Sequence, residues 1–323
     1  MRDHGGNLDW AIRRYGGSAD DWIDLSTGIN RASYPVPPLS HSAWTCLPTQ
    51  SSLVRLNEAA RQAFACSGPM LALAGAQAAI QLLPRIMPPG RAHILAPTYN
   101  EHAASFWYAG WEVTEATTLE ELAGADIAVV VNPNNPDGRV HERQALLELS
   151  GQVRRLVIDE SFVDATPELS LASIAGDKGL LVLRSFGKFF GLAGLRLGFV
   201  VGSEADIAVL ADLAGPWPVS GPSIEIGTVA LRDRTWVEAT SARLKKDARR
   251  LDALARQTGW HPVGGTALFR LYETHNCEAA RERLARHHIW SRIFPWSPGW
   301  LRLGLPGDER EWERLARALG IGA

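Results

Sequence analysis

The sequence predicts an α/β fold in which a mostly parallel central sheet, flanked by helices, is followed by a smaller α+β domain. Between about residues 70 and 200, short apolar runs alternate with stretches of helical periodicity. These runs are apolar throughout, which is typical of strands that helices cover on both faces. After Pro216–Pro218 the pattern changes to a long charged helical stretch, which indicates a second domain.

Each predicted element follows from such a run. The predicted strands of the first region are Met70–Ala74, His93–Ala96, Glu112–Glu115, Ile127–Val131, Leu156–Asp159, Leu180–Arg184 and Gly198–Val201. In the second region we predict helices over Ser223–Gln257, Cys277–His287 and Asp308–Leu319, and strands over Ala267–Tyr272, Ile289–Ile293 and Trp300–Leu305. Because ligands of parallel α/β sheets bind at the carboxyl ends of the strands, we expect the functional residues there.

Three parts are predicted along the chain. Residues 1–40 are rich in glycine and proline and form a loop-rich segment that we expect to pack on the domain interface and the active site. Residues 41–220 form the large α/β domain, and residues 221–323 form the small α+β domain.

The composition excludes several classes of function. Lys and Arg number 33 against 35 Asp and Glu, so a net charge of −2 offers no broad electrostatic surface for nucleic acid. Cys46, Cys66 and Cys277 are widely spaced and odd in number, which argues against a disulfide framework or a zinc site. The sequence has no signal-peptide pattern and no run long enough to span a membrane. We therefore expect a cytoplasmic protein without metal, nucleic-acid or membrane partners.

The segment from Ser185 to Phe199 carries the strongest functional signal. Lys188 lies three residues after Ser185 and eight residues before Arg196, within a glycine-rich loop. A pyridoxal phosphate site needs this set, because the lysine forms a Schiff base with the cofactor aldehyde while a hydroxyl and an arginine hold its phosphate. A surface lysine in an ordinary glycine-rich turn has the same local pattern, so the segment alone leaves both interpretations open.

Three more segments begin where a predicted strand ends. Gly75, Ala76 and Gln77 open a helix whose N–H groups can receive a phosphate, although a plain strand-to-helix turn has the same small residues. Asn135 lies in a loop where an amide can donate to the phenolate oxygen of the cofactor, although such residues are common in sharp turns. Asp159 ends a buried strand, so its charge needs a partner such as a protonated pyridine nitrogen, unless it caps the next helix.

The chain resembles the fold-type-I, aspartate-aminotransferase-like enzymes across residues 70–305. Three motifs carry the resemblance by their order and spacing: the Asn-Pro-x-Asn-Pro-x-Gly loop, the Asp-Glu strand end and the Ser-x-x-Lys…Gly-Leu-Arg segment. The resemblance implies pyridoxal 5'-phosphate as cofactor, bound by the large domain, and Lys188 as the catalytic lysine. Asp159 would pair with the pyridine nitrogen, Asn135 with the ring oxygen, and Tyr99 would stack on the ring. The residues implied to hold the phosphate are Gly75, Ala76, Gln77, Ser185 and Arg196.

The first thirty residues resemble one branch of these enzymes. His4–Gly5–Gly6 and Asp24–Asn30 are similar to the threonine-phosphate decarboxylases of cobalamin biosynthesis, which are relatives of the histidinol-phosphate aminotransferases. The resemblance implies that Arg302 binds the substrate carboxylate and Arg292 its phosphate. The residues implied to bind the substrate are His4, Gly5, Gly6, Asn30, Asn135, Arg292 and Arg302. A glycine turn that merely closes a loop is the alternative for the first motif.

The implied reaction is the decarboxylation of L-threonine O-3-phosphate to (R)-1-amino-2-propanol O-2-phosphate and CO2, catalysed by a homodimer. A histidinol-phosphate-type aminotransferase is the alternative, and a pyridoxal-phosphate-sensing regulatory module, which would carry an additional DNA-binding domain, is a remote one. The chain departs from the common pattern twice. Phe162 stands where many aminotransferases have a tyrosine, and Leu47 stands where a tyrosine often reaches the cofactor of the neighbouring subunit.

Overall fold

The computed structural model describes residues 4–321; residues 1–3 and 322–323, which belong to the predicted first and third parts, lie outside it. In chain order the helices are α1 (Leu8–Tyr15), α2 (His41–Thr45), α3 (Gln50–Ala63), α4 (Ala76–Leu82), α5 (Glu101–Tyr108), α6 (Arg143–Ser150), α7 (Phe186–Phe189), α8 (Glu204–Ala214), α9 (Gly221–Arg232), α10 (Arg234–Gln257), α11 (Cys277–Ala285) and α12 (Glu309–Ala318). The strands are β1 (Ile23–Asp24), β2 (Met70–Leu73), β3 (Arg91–Leu95), β4 (Glu112–Ala116), β5 (Ile127–Val131), β6 (Arg155–Asp159), β7 (Leu180–Ser185), β8 (Gly198–Val201), β9 (His261–Gly265), β10 (Phe269–Glu273), β11 (Ile289–Trp290), β12 (Arg292–Phe294) and β13 (Ser297–Gly304). None of the helices within residues 4–321 is both long and apolar enough to cross a membrane.

The described residues divide into two compact units. Residues 34–135 and 140–238 form the larger unit, and residues 4–33, 136–139 and 239–321 form the smaller one. These units divide the chain at other positions than the predicted residues 40 and 220, and helix α9 belongs to the larger unit. Helix α9 packs against α2 and α3, and Gly221 and Gly227 let it approach Ala43 and Leu56 closely.

The larger unit contains a seven-stranded sheet in the order β2-β8-β7-β6-β5-β3-β4. Strand β8 runs antiparallel to β2 and β7, and the remaining neighbours are parallel. All seven strands predicted for this region form. Every residue of β5 is buried, as expected of a strand that helices cover on both faces.

The parallel strands set the position of the polar residues that follow them. Val131 of β5 pairs with Asp159 of β6, and Asp159 in turn pairs with Leu183 of β7. The carboxyl ends of β5, β6 and β7 therefore lie side by side at one edge of the sheet. Asp159 is the last residue of β6, Asn135 lies in the loop after β5, and Lys188 lies in α7 directly after β7.

The smaller unit contains a four-stranded antiparallel sheet in the order β12-β13-β10-β9, and a parallel pair, β1 and β11. Together with the larger sheet, this unit confirms the predicted fold class of an α/β domain with a smaller α+β part. Its sheet is fastened to α10 through Asp252, which accepts hydrogen bonds from Arg270 Nη2 and Tyr272 Oη, each 2.9 Å long.

The first part of the chain is more regular than predicted, since residues 8–15 form a helix instead of a loop. Asn7 caps α1 by accepting a hydrogen bond from the backbone N–H of Trp10 at 3.3 Å. Ala11 of this helix is fully buried in a cluster with Trp22, Ala285 and Trp290. The helix was not predicted because its apolar pattern is only about two turns long and lies between two glycine pairs, Gly5-Gly6 and Gly16-Gly17.

Two predicted elements are broken in the structure. The helix predicted over 223–257 is divided into α9 and α10 at Asp233. Oδ1 of Asp233 accepts a hydrogen bond from the backbone N–H of Trp236 at 3.0 Å, and Oδ2 accepts one from the hydroxyl of Tyr34. An aspartate at a helix start satisfies N–H groups that lack a partner within the helix. The strand predicted over 289–293 is divided into β11 and β12, which pair with different strands.

We predict that Gly221→Ala destabilises the protein by about 1–3 kcal/mol, the usual cost of overpacking. A Cβ atom at this position would lie 2.2 Å from the carbonyl oxygen of Ala43, which belongs to the backbone and cannot rotate away. Urea-induced unfolding measures the change in free energy. Gly194→Ala is the control, because its Cβ would meet none of the described atoms within 4 Å. Equal stability of the two variants would contradict the close packing of α9 on α2.

Candidate active site

Lys188 lies in a short helix held by aromatic packing. Strand β7 ends at Ser185, and α7 follows with Lys188 as its third residue. The ring of Phe186 stacks on that of Phe190 with a centroid distance of 4.3 Å, and Phe190 stacks on Trp236 at 5.4 Å. The Nζ atom of Lys188 lies 4.8 Å from the centroid of the Phe162 ring. The amine is therefore placed over an aromatic face at the carboxyl end of the sheet.

Asp159 is a buried carboxylate with fixed partners. It is 2% exposed, and its Oδ2 lies 2.9 Å from Nε2 of His102. Its Oδ1 accepts a hydrogen bond from the backbone N–H of Ser161, also at 2.9 Å. Burial by itself would raise the pKa of Asp159, but the hydrogen bond from His102 and the charges of His102 and Lys188 outweigh it and lower the pKa to about 2. The group is thus ionised at neutral pH.

The residues predicted to hold a phosphate meet where β8 passes the start of α4. Gly198 pairs with Ser185, and a Cβ atom on Gly198 would lie 2.4 Å from the backbone nitrogen of Ala76. A Cβ on Gly75 would lie 2.8 Å from Nη2 of Arg196. Glycine at both positions therefore lets the guanidinium and the first N–H groups of the helix approach one place.

Tyr99 and Asn135 lie in two loops that are tied together. The hydroxyl of Thr98 donates to Oδ1 of Asn134 at 2.7 Å, so the segment before Tyr99 is fixed to the segment before Asn135. Tyr99 donates through its hydroxyl to Oε1 of Gln77 at 3.0 Å. The larger unit thus joins the predicted ring-stacking residue to the predicted phosphate segment.

These residues fit pyridoxal phosphate. The guanidinium of Arg196, which lies against Gly75 at the start of α4, suits a phosphate group, and the ionised carboxylate of Asp159 suits a protonated pyridine nitrogen. All nine predicted cofactor-binding residues belong to the larger unit.

In the smaller unit, Arg292 and Arg302 occupy directly opposite positions on β12 and β13. Arg302 is 6% exposed, and its Nη2 donates to the backbone oxygen of Ser26 at 2.8 Å. Burial, followed by the charge of Arg292, lowers the pKa of Arg302 to about 9. Like charges opposite each other destabilise a sheet, so this arrangement is suited to an anionic ligand.

The predicted N-terminal residues lie in the same unit. His4 and Gly5 line a pocket together with Arg292. The N–H of Gly6 donates to Oγ of Ser26 at 2.7 Å, and Ser26 donates to Asp24 at 2.6 Å. Asn30 is buried, and its Oδ1 accepts a hydrogen bond from Arg243 at 2.7 Å. The side-chain amide oxygen of Asn30 is therefore bound by a side chain of the protein.

Residues 56–319 match the family model of aminotransferase class I and II. The chain belongs to this family. A threonine-phosphate decarboxylase from Pseudomonas aeruginosa is 45% identical and covers 99% of this chain and 97% of its own. A histidinol-phosphate aminotransferase from Serratia proteamaculans is 30% identical over 68% of this chain and 65% of its own. The predicted family resemblance is confirmed.

A solved structure agrees with this assignment at the level of fold. The histidinol-phosphate aminotransferase from Sinorhizobium meliloti, in complex with pyridoxal-5'-phosphate, superposes with a TM-score of 0.80 at 18% identity. The match covers 97% of this chain and 93% of that chain.

Within this aminotransferase-family chain, sequence reasoning missed His102. Its side chain is fully buried, and it is the residue that supports Asp159. His102 follows Tyr99 by three residues at the start of α5, and the two rings meet edge to face with a centroid distance of 6.2 Å. A histidine at that spacing from the predicted ring-stacking tyrosine was the available signal.

We predict a pH-dependent difference in stability between the wild type and Asp159→Asn. Because the folded pKa lies below the ordinary value of 3.8, the charged form stabilises the fold above about pH 4, and this contribution is lost as the pH falls to about 2. The difference amounts to about 2 kcal/mol, at about 1.4 kcal/mol per pKa unit. Chemical unfolding between pH 5 and 2 measures it, with the exposed Asp212→Asn as control. A constant difference across this range would contradict the depressed pKa.

Proposed function

We propose that this chain is a pyridoxal-phosphate-dependent carboxy-lyase that converts L-threonine O-3-phosphate to (R)-1-amino-2-propanol O-2-phosphate and CO2. The similarity to a threonine-phosphate decarboxylase extends over nearly the whole chain, whereas that to a histidinol-phosphate aminotransferase covers about two thirds of it. The first thirty residues, which carry the distinguishing motifs, therefore belong to the part that the decarboxylase comparison includes.

The observation that carries the proposal is the pair of opposed arginines. Arg292 and Arg302 place two like charges on neighbouring strands, and the cost of that arrangement is offset when an anion binds. A substrate with both a carboxylate and a phosphate supplies two anionic groups. We assign the carboxylate to the buried Arg302 and the phosphate to Arg292, since a guanidinium binds either group through two parallel hydrogen bonds.

In the larger unit, Asp159 would hold a proton at the pyridine nitrogen, because its own pKa of about 2 keeps it ionised. Lys188 would hold the cofactor covalently and move a proton at its Nζ. Arg196, Ser185 and the segment from Gly75 would hold the cofactor phosphate. When bound, pyridoxal phosphate would supply an electron sink for the electrons of the bond that breaks at Cα. Arg302 and Arg292 would select that bond by holding the substrate at its carboxylate and its phosphate.

The cobalamin pathway, a homodimeric state and a cytoplasmic location belong to the same proposal. Trp44 and Leu47 are more than half exposed on the larger unit, with exposed fractions of 68% and 63%. Large exposed apolar side chains three residues apart in the chain support a protein interface here.

The reaction is tested by incubating the purified holoenzyme with L-threonine O-3-phosphate. We expect CO2 release without amino transfer to 2-oxoglutarate. Lys188→Ala removes both the covalent attachment and the proton carrier, so we expect loss of CO2 release and of the visible absorbance of the lysine-bound cofactor. Lys245→Ala, on the exposed side of α10, is the matched control and keeps both signals. Amino transfer without CO2 would favour the aminotransferase alternative.

Arg292→Gln tests the assignment of the phosphate. We expect kcat/KM for L-threonine O-3-phosphate to fall by about 10- to 100-fold, because a charge-assisted hydrogen bond contributes about 1.5–3 kcal/mol. Activity toward L-threonine, which has no phosphate, should change little. The same steady-state measurement on Arg310→Gln, an exposed arginine of α12, gives the control for charge loss. An unchanged preference for the phosphorylated substrate would remove Arg292 from this role.

A further inference from the structure

The pocket that Arg292 shares with His4 contains a second arginine that the family resemblance does not assign. Arg281, on α11, lines this pocket together with Trp10, Trp290 and Ser291. None of the described residues that line it has a carboxylate side chain. All of these described lining residues belong to the smaller unit.

Arg281 is held by two tryptophan rings. Its guanidinium carbon lies 5.8 Å from the ring centroid of Trp10 and 5.5 Å from that of Trp290. Both distances are within the range of cation–π attraction, which fixes the group without using its N–H donors. Trp290 is 6% exposed, so one side of this support is part of the core.

The nearest carboxylate along the helix is directed elsewhere. Glu282 accepts a hydrogen bond from the hydroxyl of Tyr15 and lies 3.4 Å from Nη2 of Arg286. Within residues 4–321, no carboxylate forms an ion pair with Arg281. The guanidinium thus keeps five N–H donors and a full positive charge at the pocket wall.

Ser291 gives an independent indication of a ligand. It lies between Trp290 and Arg292 and is 2% exposed. The residue lines the pocket, and its buried Oγ makes no hydrogen bond to any of the described residues. A buried hydroxyl without a hydrogen-bond partner destabilises the fold by about 1–3 kcal/mol. An anion bound in this cationic pocket would remove that cost by accepting a hydrogen bond from the hydroxyl of Ser291.

We propose that Arg281 and Ser291 complete a binding site for the phosphate monoester of the substrate, and that Arg281 determines the preference for phosphorylated over unphosphorylated amino acids. This inference rests on the proposed function for the identity of the substrate, but the pocket's affinity for phosphate follows from its own residues. A phosphate dianion offers more acceptor sites than one arginine can fill, and a second guanidinium with a serine hydroxyl supplies the remaining donors.

The test measures the affinity of the holoenzyme for inorganic phosphate by calorimetry. The holoenzyme is used because the bound cofactor then fills the other phosphate site. We expect Arg281→Gln to raise the dissociation constant at least about tenfold, as the loss of one charge-assisted hydrogen bond does. Ser291→Ala should raise it by a smaller factor. Arg283→Gln, an exposed arginine on the same helix, is the matched control and should bind phosphate as the wild type does.

Arg281→Lys keeps the test decisive if Arg281→Gln fails to fold. Lysine retains the charge but loses the planar fork, so we expect an affinity between those of the wild type and Arg281→Gln. Wild-type phosphate affinity in a folded Arg281→Gln and in Arg281→Lys would overturn the inference, because a purely structural arginine has no effect on anion binding.

Substrate kinetics separate this inference from the proposed function. Suppose that the wild-type enzyme releases CO2 from L-threonine O-3-phosphate and that Arg281→Gln prefers this substrate to L-threonine as strongly as the wild type does. These results would support the proposed function and reject the role of Arg281. Weakened phosphate binding in the variant, together with a wild type that releases no CO2, would support the phosphate site and reject the proposed function.

Discussion

The hydrogen bond between Nε2 of His102 and Asp159, 2.9 Å long, keeps a negative charge inside the larger unit. Removing a carboxylate from water costs several kcal/mol unless its oxygens have partners, and the charges of His102 and Lys188 with the N–H of Ser161 supply them. These partners come from α5, α7 and the loop after β6. The pairing of β6 with β7 and the packing of the helices must therefore be maintained together for the carboxylate to stay ionised.

The smaller unit has the opposite arrangement, in which positive charge is buried. Arg302 is buried beside Arg292, and its contacts include the backbone oxygen of Ser26 and the ring of Phe269, whose centroid lies 5.0 Å away. The charge of Asp24 favours the charged form of Arg302, but burial and the charge of Arg292 outweigh it and lower the pKa. Binding of an anion beside these two arginines stabilises the protein. The repulsion that lowers the stability of the free protein is therefore also a source of its affinity for an anionic substrate.

The sequence was sufficient for the features that depend on local composition. The apolar run Ile127–Val131 predicted a buried strand, and the position of Asp159 after such a run predicted a charge in need of a partner. It was insufficient where the partner comes from elsewhere in the chain. His102 is 57 residues from Asp159, and the break at Asp233 depends on a hydrogen bond from Tyr34, 199 residues away. Periodicity contains no information on such contacts.

The position of Phe162 connects the sequence departure to the choice of reaction. Its ring is 5% exposed and lies under the amine of Lys188, whose ammonium form is attracted by the face of an aromatic ring. A tyrosine would add a hydroxyl at this place, whereas phenylalanine offers only its ring. In the proposed reaction a proton must be delivered to the Cα atom that has lost CO2, whereas transamination begins by removing a proton from Cα. An amine placed over the ring of Phe162 would suit the first of these tasks.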